Sequence, residues 1–427
     1  MNENLSPAIK APFQNNAAPL NNIRTLAPWY AAQFFAAFCS ALTTNAIYYF
    51  ARYELHSSAR VPLWLASLSG LVYIFSSIFG GRWVDRIGQK KVIIYMALVN
   101  VPIFLIAALG AHMHNLTLLI LQVILQNIFV APMWPAMESA MSCSPGSLNL
   151  TTRMTLYSLT WSISNFIAFG IVGSLAEWLS WAGVFIFASA CSFLVWFIVA
   201  FFAISQSTIG AEHAEDTPGE KDQSEAAVSA HKAKTLLRMA GLSNMLSYMC
   251  VNTVLPAMPT ITLLLGLKNY AAATALGSIW ALTRVGGFVL TMLWTGWHYR
   301  TRWMVISFIA LVGATEALLL SRSIAMLAGA QIIFGIAAAM LYSGSLYYAM
   351  HLSKGSGANA GVHEAMVGGG TMVGPAITAV AGAPGDLVPK ALVLLAPLTA
   401  GGGYLFSLAF RARGKPTERR DDIKIHQ

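Results

Sequence analysis

Two ionisable side chains lie deep inside long apolar stretches of this chain: Arg284, thirteen residues before Trp297, and Glu316, thirteen residues after Trp303. A charge in hydrocarbon is costly unless it is paired or faces water, so such residues mark ion pairs or solute paths. At a helical rise of about 1.5 Å per residue, both sit about 20 Å from the same end of consecutive antiparallel helices. Two readings follow. Arg284 and Glu316 form a structural ion pair, or Arg284 faces a cavity and holds an anionic group while Glu316 tunes it or carries a proton. A second set of candidates mixes amides with aromatics: Gln122, Gln126 and Asn127; Trp161 with Asn165; Tyr248 with Asn252; Gln331 with Tyr342. Aromatic walls with few polar anchors are how small-molecule cavities are built. The plainer alternative is hydrogen bonding between helices, worth about 0.6 kcal/mol each. Bond-making chemistry has no such support. The nine histidines include no HExxH spacing, the four cysteines (Cys39, Cys143, Cys191, Cys250) form no CxxC, and no Gly–xxxx–Gly–Lys–Ser/Thr phosphate loop occurs. Neither a cofactor, a metal nor an enzyme is expected.

The elements that must carry these residues follow from composition. Hydrophobic residues make up 56% of the 427, charged residues 10%, and mean hydropathy is +0.61. A soluble domain carries about a quarter charged residues; this chain has too few to coat a wet surface. A nucleic-acid partner is a poor fit, because the basic residues sit in short loops and the C-terminal tail. The expectation is an all-α integral membrane protein. Stretches long enough to cross a bilayer fall at 29–50, 63–81, 92–111, 116–136, 154–176, 182–204, 236–257, 274–297, 303–321, 323–349, 365–383 and 388–410, twelve in all. The polar segment 1–28 reads as a disordered tail, since a signal peptide would be shorter and nearer the start. Residues 205–235, rich in Glu and Asp, read as a solvated linker between bundles at 29–204 and 236–410, with a tail at 411–427. Of the 26 Lys and Arg, 20 fall on the side of the termini and five in the opposite loops. That bias puts both termini in the cytoplasm.

The loop between spans two and three reads Gly81–Arg82–Trp83–Val84–Asp85–Arg86–Ile87–Gly88–Gln89–Lys90–Lys91. It resembles the signature of the major facilitator superfamily: Gly, three residues, Asp, a basic residue, one residue, Gly, then basic residues. Twelve spans, a central linker and internal termini agree with that resemblance over residues 29–410. It implies two six-helix bundles, and a conformational latch made by Gly81, Asp85, Arg86, Gly88, Lys90 and Lys91. Gly81 would allow close packing, Gly88 a tight turn, and Asp85 would accept hydrogen bonds from a helix N-terminus. His363 and Glu364 open span eleven, so Glu364 could pair with Arg86 or Lys90. Gly370, Gly374 and Pro375 are similar to a Gly-Pro motif that antiporters carry in span five, but span five here lacks it. Span four has no arginine of the kind many proton-coupled members carry. Glu138 falls just past the end of span four, which leaves the N-terminal bundle without a mid-membrane proton carrier. Gly361–Val362–His363–Glu364–Ala365 and Met133–Trp134–Pro135 resemble bacterial members of the family.

The resemblance implies a monomeric secondary transporter of a bacterial inner membrane. It would move a small organic solute by alternating access, with an anionic substrate suggested by Arg284 and a proton as one candidate coupling ion. A transport-inactive sensor or scaffold on the same fold is the alternative, and a membrane enzyme a distant third.

Overall fold

The computed structural model describes residues 19–142, 150–203, 230–294, 296–298, 300–353 and 357–412. The expected acidic linker before residue 230, most of the N-terminal segment, the tail beyond 412 and Cys143 lie outside the described residues. Within them the chain is helical, with no strand. The first group of helices is α1 (Pro19–Tyr53), α2 (Arg60–Ile87), α3 (Gln89–His112), α4 (Leu116–Val130), α5 (Met133–Ser142) and α6 (Leu150–Phe201). The second is α7 (Ala230–Leu264), α8 (Tyr270–Gly277), α9 (Ile279–Leu293), α10 (Thr301–Leu319), α11 (Ile324–Ser353), α12 (Gly357–Val380) and α13 (Leu387–Ala412).

Nine helical stretches among the described residues are long and apolar enough to cross a membrane. One of them, Thr155–Phe201, runs 47 residues, longer than a single crossing needs. It bends at Ser180, whose backbone is non-helical at φ 66° and ψ 165°, between the stretches expected as spans five and six. The helices at expected spans seven and eleven, α7 and α12, are not among the nine. Both carry polar residues and helix-weakening Pro or Gly (Asn244 and Asn252 with Pro256 and Pro259; His363 and Glu364 with Gly368, Gly369 and Gly370), and both pack against each other in the interior. Large exposed side chains such as Trp178, Ile309, Phe406 and Phe410 ring the outside. Apolar exposure on this scale fits lipid, not water.

Ser180 occupies a backbone region that is essentially restricted to glycine and costs about 1–3 kcal/mol for other residues. Its Oγ recovers part of that by accepting a 3.4 Å bond from the Gly183 amide. We expect Ser180→Gly to raise the melting temperature slightly in a thermal unfolding assay; a lowered melting temperature would show that the cap outweighs the strain.

Three element boundaries differ from the sequence expectation. α2 continues as helix through Ile87, so the basic motif is a helix end and not a loop. Only Gly88, at φ 87°, turns the chain, because nothing between Gly81 and Ile87 breaks a helix. α1 begins at Pro19 and α7 at Ala230, ahead of the expected 29 and 236, since helices continue past the bilayer wherever no breaker stops them.

The two groups meet along two seams. α2 packs against α12, and α6 packs against α8 and α9. Hydrogen bonds join the groups at the end of the bundle far from the motif. Tyr53 Oη donates to Leu267 O at 2.8 Å and lies 3.1 Å from Thr262 Oγ1. Tyr49 Oη donates to Ala273 O at 3.2 Å, and Asn269 Nδ2 donates to Glu177 at 2.8 Å. Glu54 accepts from Trp181 Nε1 at 3.0 Å and from the Tyr270 hydroxyl. At the motif end, Gly361 of α12 lies against Ser77 and Gly81 of α2. Cross-group contacts therefore stand on both sides of the middle.

Candidate functional site

Between the seams lies a cavity of about 200 Å³, lined from both groups. Asn127, Trp161, Asn165, Tyr248, Asn252, Tyr342 and Glu364 all reach it, together with Ser40, Thr44, Tyr73 and Tyr157. Seven of the residues singled out from sequence are thus brought together. Asn252 Nδ2 donates to Thr371 Oγ1 at 2.9 Å, and Asn127 Oδ1 accepts from Ser69 at 3.0 Å, so both amides are oriented by a neighbouring helix.

Arg284 sits directly behind this wall and is 3% exposed. Its guanidinium carbon lies 4.6 Å from the Trp161 ring centroid, 5.4 Å from Tyr342, 5.6 Å from Tyr248 and 5.7 Å from Phe288. Those rings come from α6, α11, α7 and α9, so both groups build the cage. Edge-on contacts lock it: Trp161 meets Tyr342 at 5.2 Å and Phe288 at 5.6 Å. The guanidinium donates to the Tyr248 hydroxyl at 3.4 Å, and its Nε is buried without a partner. Among the described residues Arg284 makes no ion pair.

The pairing with Glu316 considered from equal depth is not formed. Glu316 lies on α10 beside Cys250 of α7 and leaves its Oε1 buried without a hydrogen bond. Equal depth on consecutive helices did not bring the two together, because α9 turns Arg284 toward α6, α7 and α11.

Gln331 explains how α9 is held. It accepts from the Trp280 amide at 3.2 Å and donates to Leu276 O at 2.9 Å, spanning the break at Ser278 between α8 and α9. Gln331 is therefore a positioning residue away from the cavity. Gln122 and Gln126 are likewise absent from its lining. Gln122 donates to Gln126, whose amide reaches Ser40 at 3.3 Å and whose carbonyl accepts from Thr43 at 3.1 Å. They tie α4 to α1, as the plainer alternative had it.

The motif residues stand apart from the cavity. Asp85, Arg86 and Lys91 are exposed at the end of α2 and start of α3, Gly81 is buried in the α2–α12 seam, and Lys90 donates to Ala203 O at 2.7 Å. Glu364 does not reach Arg86 or Lys90. It turns inward and accepts from the Tyr73 hydroxyl. Glu138, expected beyond the membrane core, is fully buried on α5 beside Glu364 and Tyr157. The helix breaks at Ala131 and Pro132 and resumes as the short helix α5 within the same apolar stretch, Leu116–Met141, which keeps Glu138 in the interior. Sequence reading missed Glu138, His363, Tyr73 and Tyr157 as neighbours; the one available signal was the Pro132 and Pro135 pair just ahead of an acidic residue at a span end.

A human protein, the voltage-gated purine nucleotide uniporter SLC17A9, is 30% identical over 132 residues, which is 30% of this chain and 30% of that protein. The chain therefore matches under a third of that relative's length. The family profile of the Major Facilitator Superfamily matches residues 29–297, well over half of the chain. With its helical bundle, its apolar exterior and a cavity lined from both groups, this chain is an integral multi-pass membrane protein that belongs to the Major Facilitator Superfamily.

Proposed function

We propose that the chain carries a small organic anion by alternating access, with Arg284 as the anchor for the anionic group. The observation that carries this reading is a buried guanidinium caged by aromatic rings from both groups beside the cavity, with no carboxylate in direct contact among the described residues. Such a charge is costly to bury and makes sense where a diffusible anion completes it. Trp161, Tyr248 and Tyr342 supply flat apolar surface for the organic part, and Asn127, Asn165 and Asn252 supply polar anchors. The human relative is named for purine nucleotides, which are organic anions with a planar ring system, and this supports the same class. Residues 29–204 and 236–410 would be the two units that rock about this site, joined by 205–235, with both termini and the motif in the cytoplasm. With no Gly–xxxx–Gly–Lys–Ser/Thr loop in the sequence, the proposed drive is an ion or substrate gradient, and a proton gradient is the form to test first.

The test is uptake into proteoliposomes containing the purified full-length protein. We expect small organic anions to accumulate when the interior is made positive or alkaline, whereas neutral and cationic analogues of similar size stay at the background of empty vesicles. Equal transport of neutral analogues would remove the anion from the proposal, and no transport of any anion under either gradient would overturn it.

A further inference from the structure

One cluster lies outside the Arg284 cage, touching the cavity through Glu364. A carboxylate oxygen of Glu138, a carboxylate oxygen of Glu364 and a ring nitrogen of His363 all lie within 4.8 Å of one another. Glu138 is 0% exposed, and His363 and Glu364 are each 5% exposed. Glu138 comes from the first helix group and the other two from the second. Two buried carboxylates this close repel unless a proton or a metal cation lies between them. The polar atoms left over point the same way. Nε2 of His363 is buried without a hydrogen bond, and Glu138 has only Glu364 and Tyr157 beside its carboxyl group. The remaining contacts resemble an outer shell of the kind that orients metal ligands. Ser345 Oγ lies 3.4 Å from His363 Nδ1, which leaves the Nε2 lone pair free when Nδ1 carries the proton. The Tyr73 hydroxyl holds one oxygen of Glu364, leaving the other to coordinate. A proton shared by the two carboxyls would still leave Nε2 of His363 orphaned, whereas a metal ion satisfies all three ligands at once.

We propose that Glu138, His363 and Glu364 form a divalent transition-metal site. One imidazole with two carboxylates favours zinc, cobalt or manganese over calcium or magnesium. Three protein ligands leave a fourth position for water or solute, and Glu364 opens that position to the cavity, giving the ion an entry path. Because α5 belongs to one group and α12 to the other, a bound ion ties the two together and stops the motif end from opening.

The experiment uses full-length protein in nanodiscs, with Co²⁺ as the optical probe and Zn²⁺ as competitor. We expect one Co²⁺ per chain with the visible bands of a low-coordinate site, displaced by Zn²⁺. Glu138→Gln and His363→Gln should each weaken Co²⁺ binding more than tenfold, and Tyr73→Phe by about tenfold, as outer-shell changes do. Spin labels across the motif end should show Zn²⁺ holding the wild type closed and leaving His363→Gln free to open. If Glu138→Gln does not fold, the wild-type spectrum together with His363→Gln and Tyr73→Phe still decides. The proposal is overturned by a Co²⁺ spectrum of the hydrated ion alone, by wild-type affinity in every folded variant, or by a cluster that takes up protons and no metal. Metal binding is read without transport, so failure of the anion reading and failure of the metal site are separate results.

Discussion

Replacing Arg284 with methionine should abolish anion transport while leaving the protein at least as stable as the wild type. The two halves of this expectation come from the same observation. An isolated guanidinium taken out of water costs several kcal/mol even after relaxation, and each well-placed ring returns about 0.5–2 kcal/mol. Four rings at 4.6–5.7 Å thus roughly offset burial without exceeding it. Methionine has similar volume and no charge, so its melting temperature should equal or exceed that of the wild type. With ligand the order reverses. A substrate anion at a hundredfold excess over its Kd stabilises the wild type by about 2.7 kcal/mol, and this gain should vanish in Arg284→Met. Arg284→Lys separates charge from shape. Lysine keeps a positive charge but loses the planar face that four rings enclose, so we expect transport reduced by about tenfold or more with weakened anion stabilisation. A methionine variant that melts far below the wild type and still binds anion would make Arg284 structural and end the anion proposal.

The route from sequence to this site shows which features carry over into three dimensions. Helical span positions and the aromatic wall were legible because both are local: an apolar run of bilayer length, and Trp161, Tyr248 and Tyr342 set among amides. The fate of each amide was not. Gln122, Gln126 and Gln331 have the same chemistry as Asn127, Asn165 and Asn252, yet only the asparagines line the cavity. That choice depends on helix rotation, which the hydropathy of a span scarcely constrains once both faces are apolar. Depth alone also misled for Arg284 and Glu316, since equal height along two helices fixes no azimuth. The Glu138–Glu364 approach was illegible for a third reason. It joins residues more than two hundred positions apart, and one of them lies on a short helix created by Ala131 and Pro132.

Two glycine-to-alanine changes should trap the transporter at opposite ends. Gly361 of α12 faces α2 at the motif end; a Cβ there would lie 2.7 Å from Ser77 O and 3.3 Å from the Gly81 Cα. Gly173 of α6 faces α8 at the far end, where a Cβ would meet the Tyr270 carbonyl and lie 2.6 Å from Thr274 Oγ1. In each case the obstacle includes backbone, which cannot swing aside as a side-chain tip does. Alanine is otherwise the better helix former by about 1 kcal/mol, so a loss of closure in these variants comes from the seam and not from the helix. Small residues at such seams are what let membrane helices approach closely. We therefore expect Gly361→Ala to favour a conformation open at the motif end and Gly173→Ala one open at the far end, each cutting transport more than tenfold. Spin-label pairs at Arg86 and Arg302, and at Trp178 and Lys268, all on exposed positions, would read the two mouths independently. The first pair should separate only in Gly361→Ala and the second only in Gly173→Ala. If either variant widens both mouths, or neither, the seams are static packing and do not act as the alternating gates. Opposite responses would mean that the same close helix approach that stabilises each closed end also sets the balance between them.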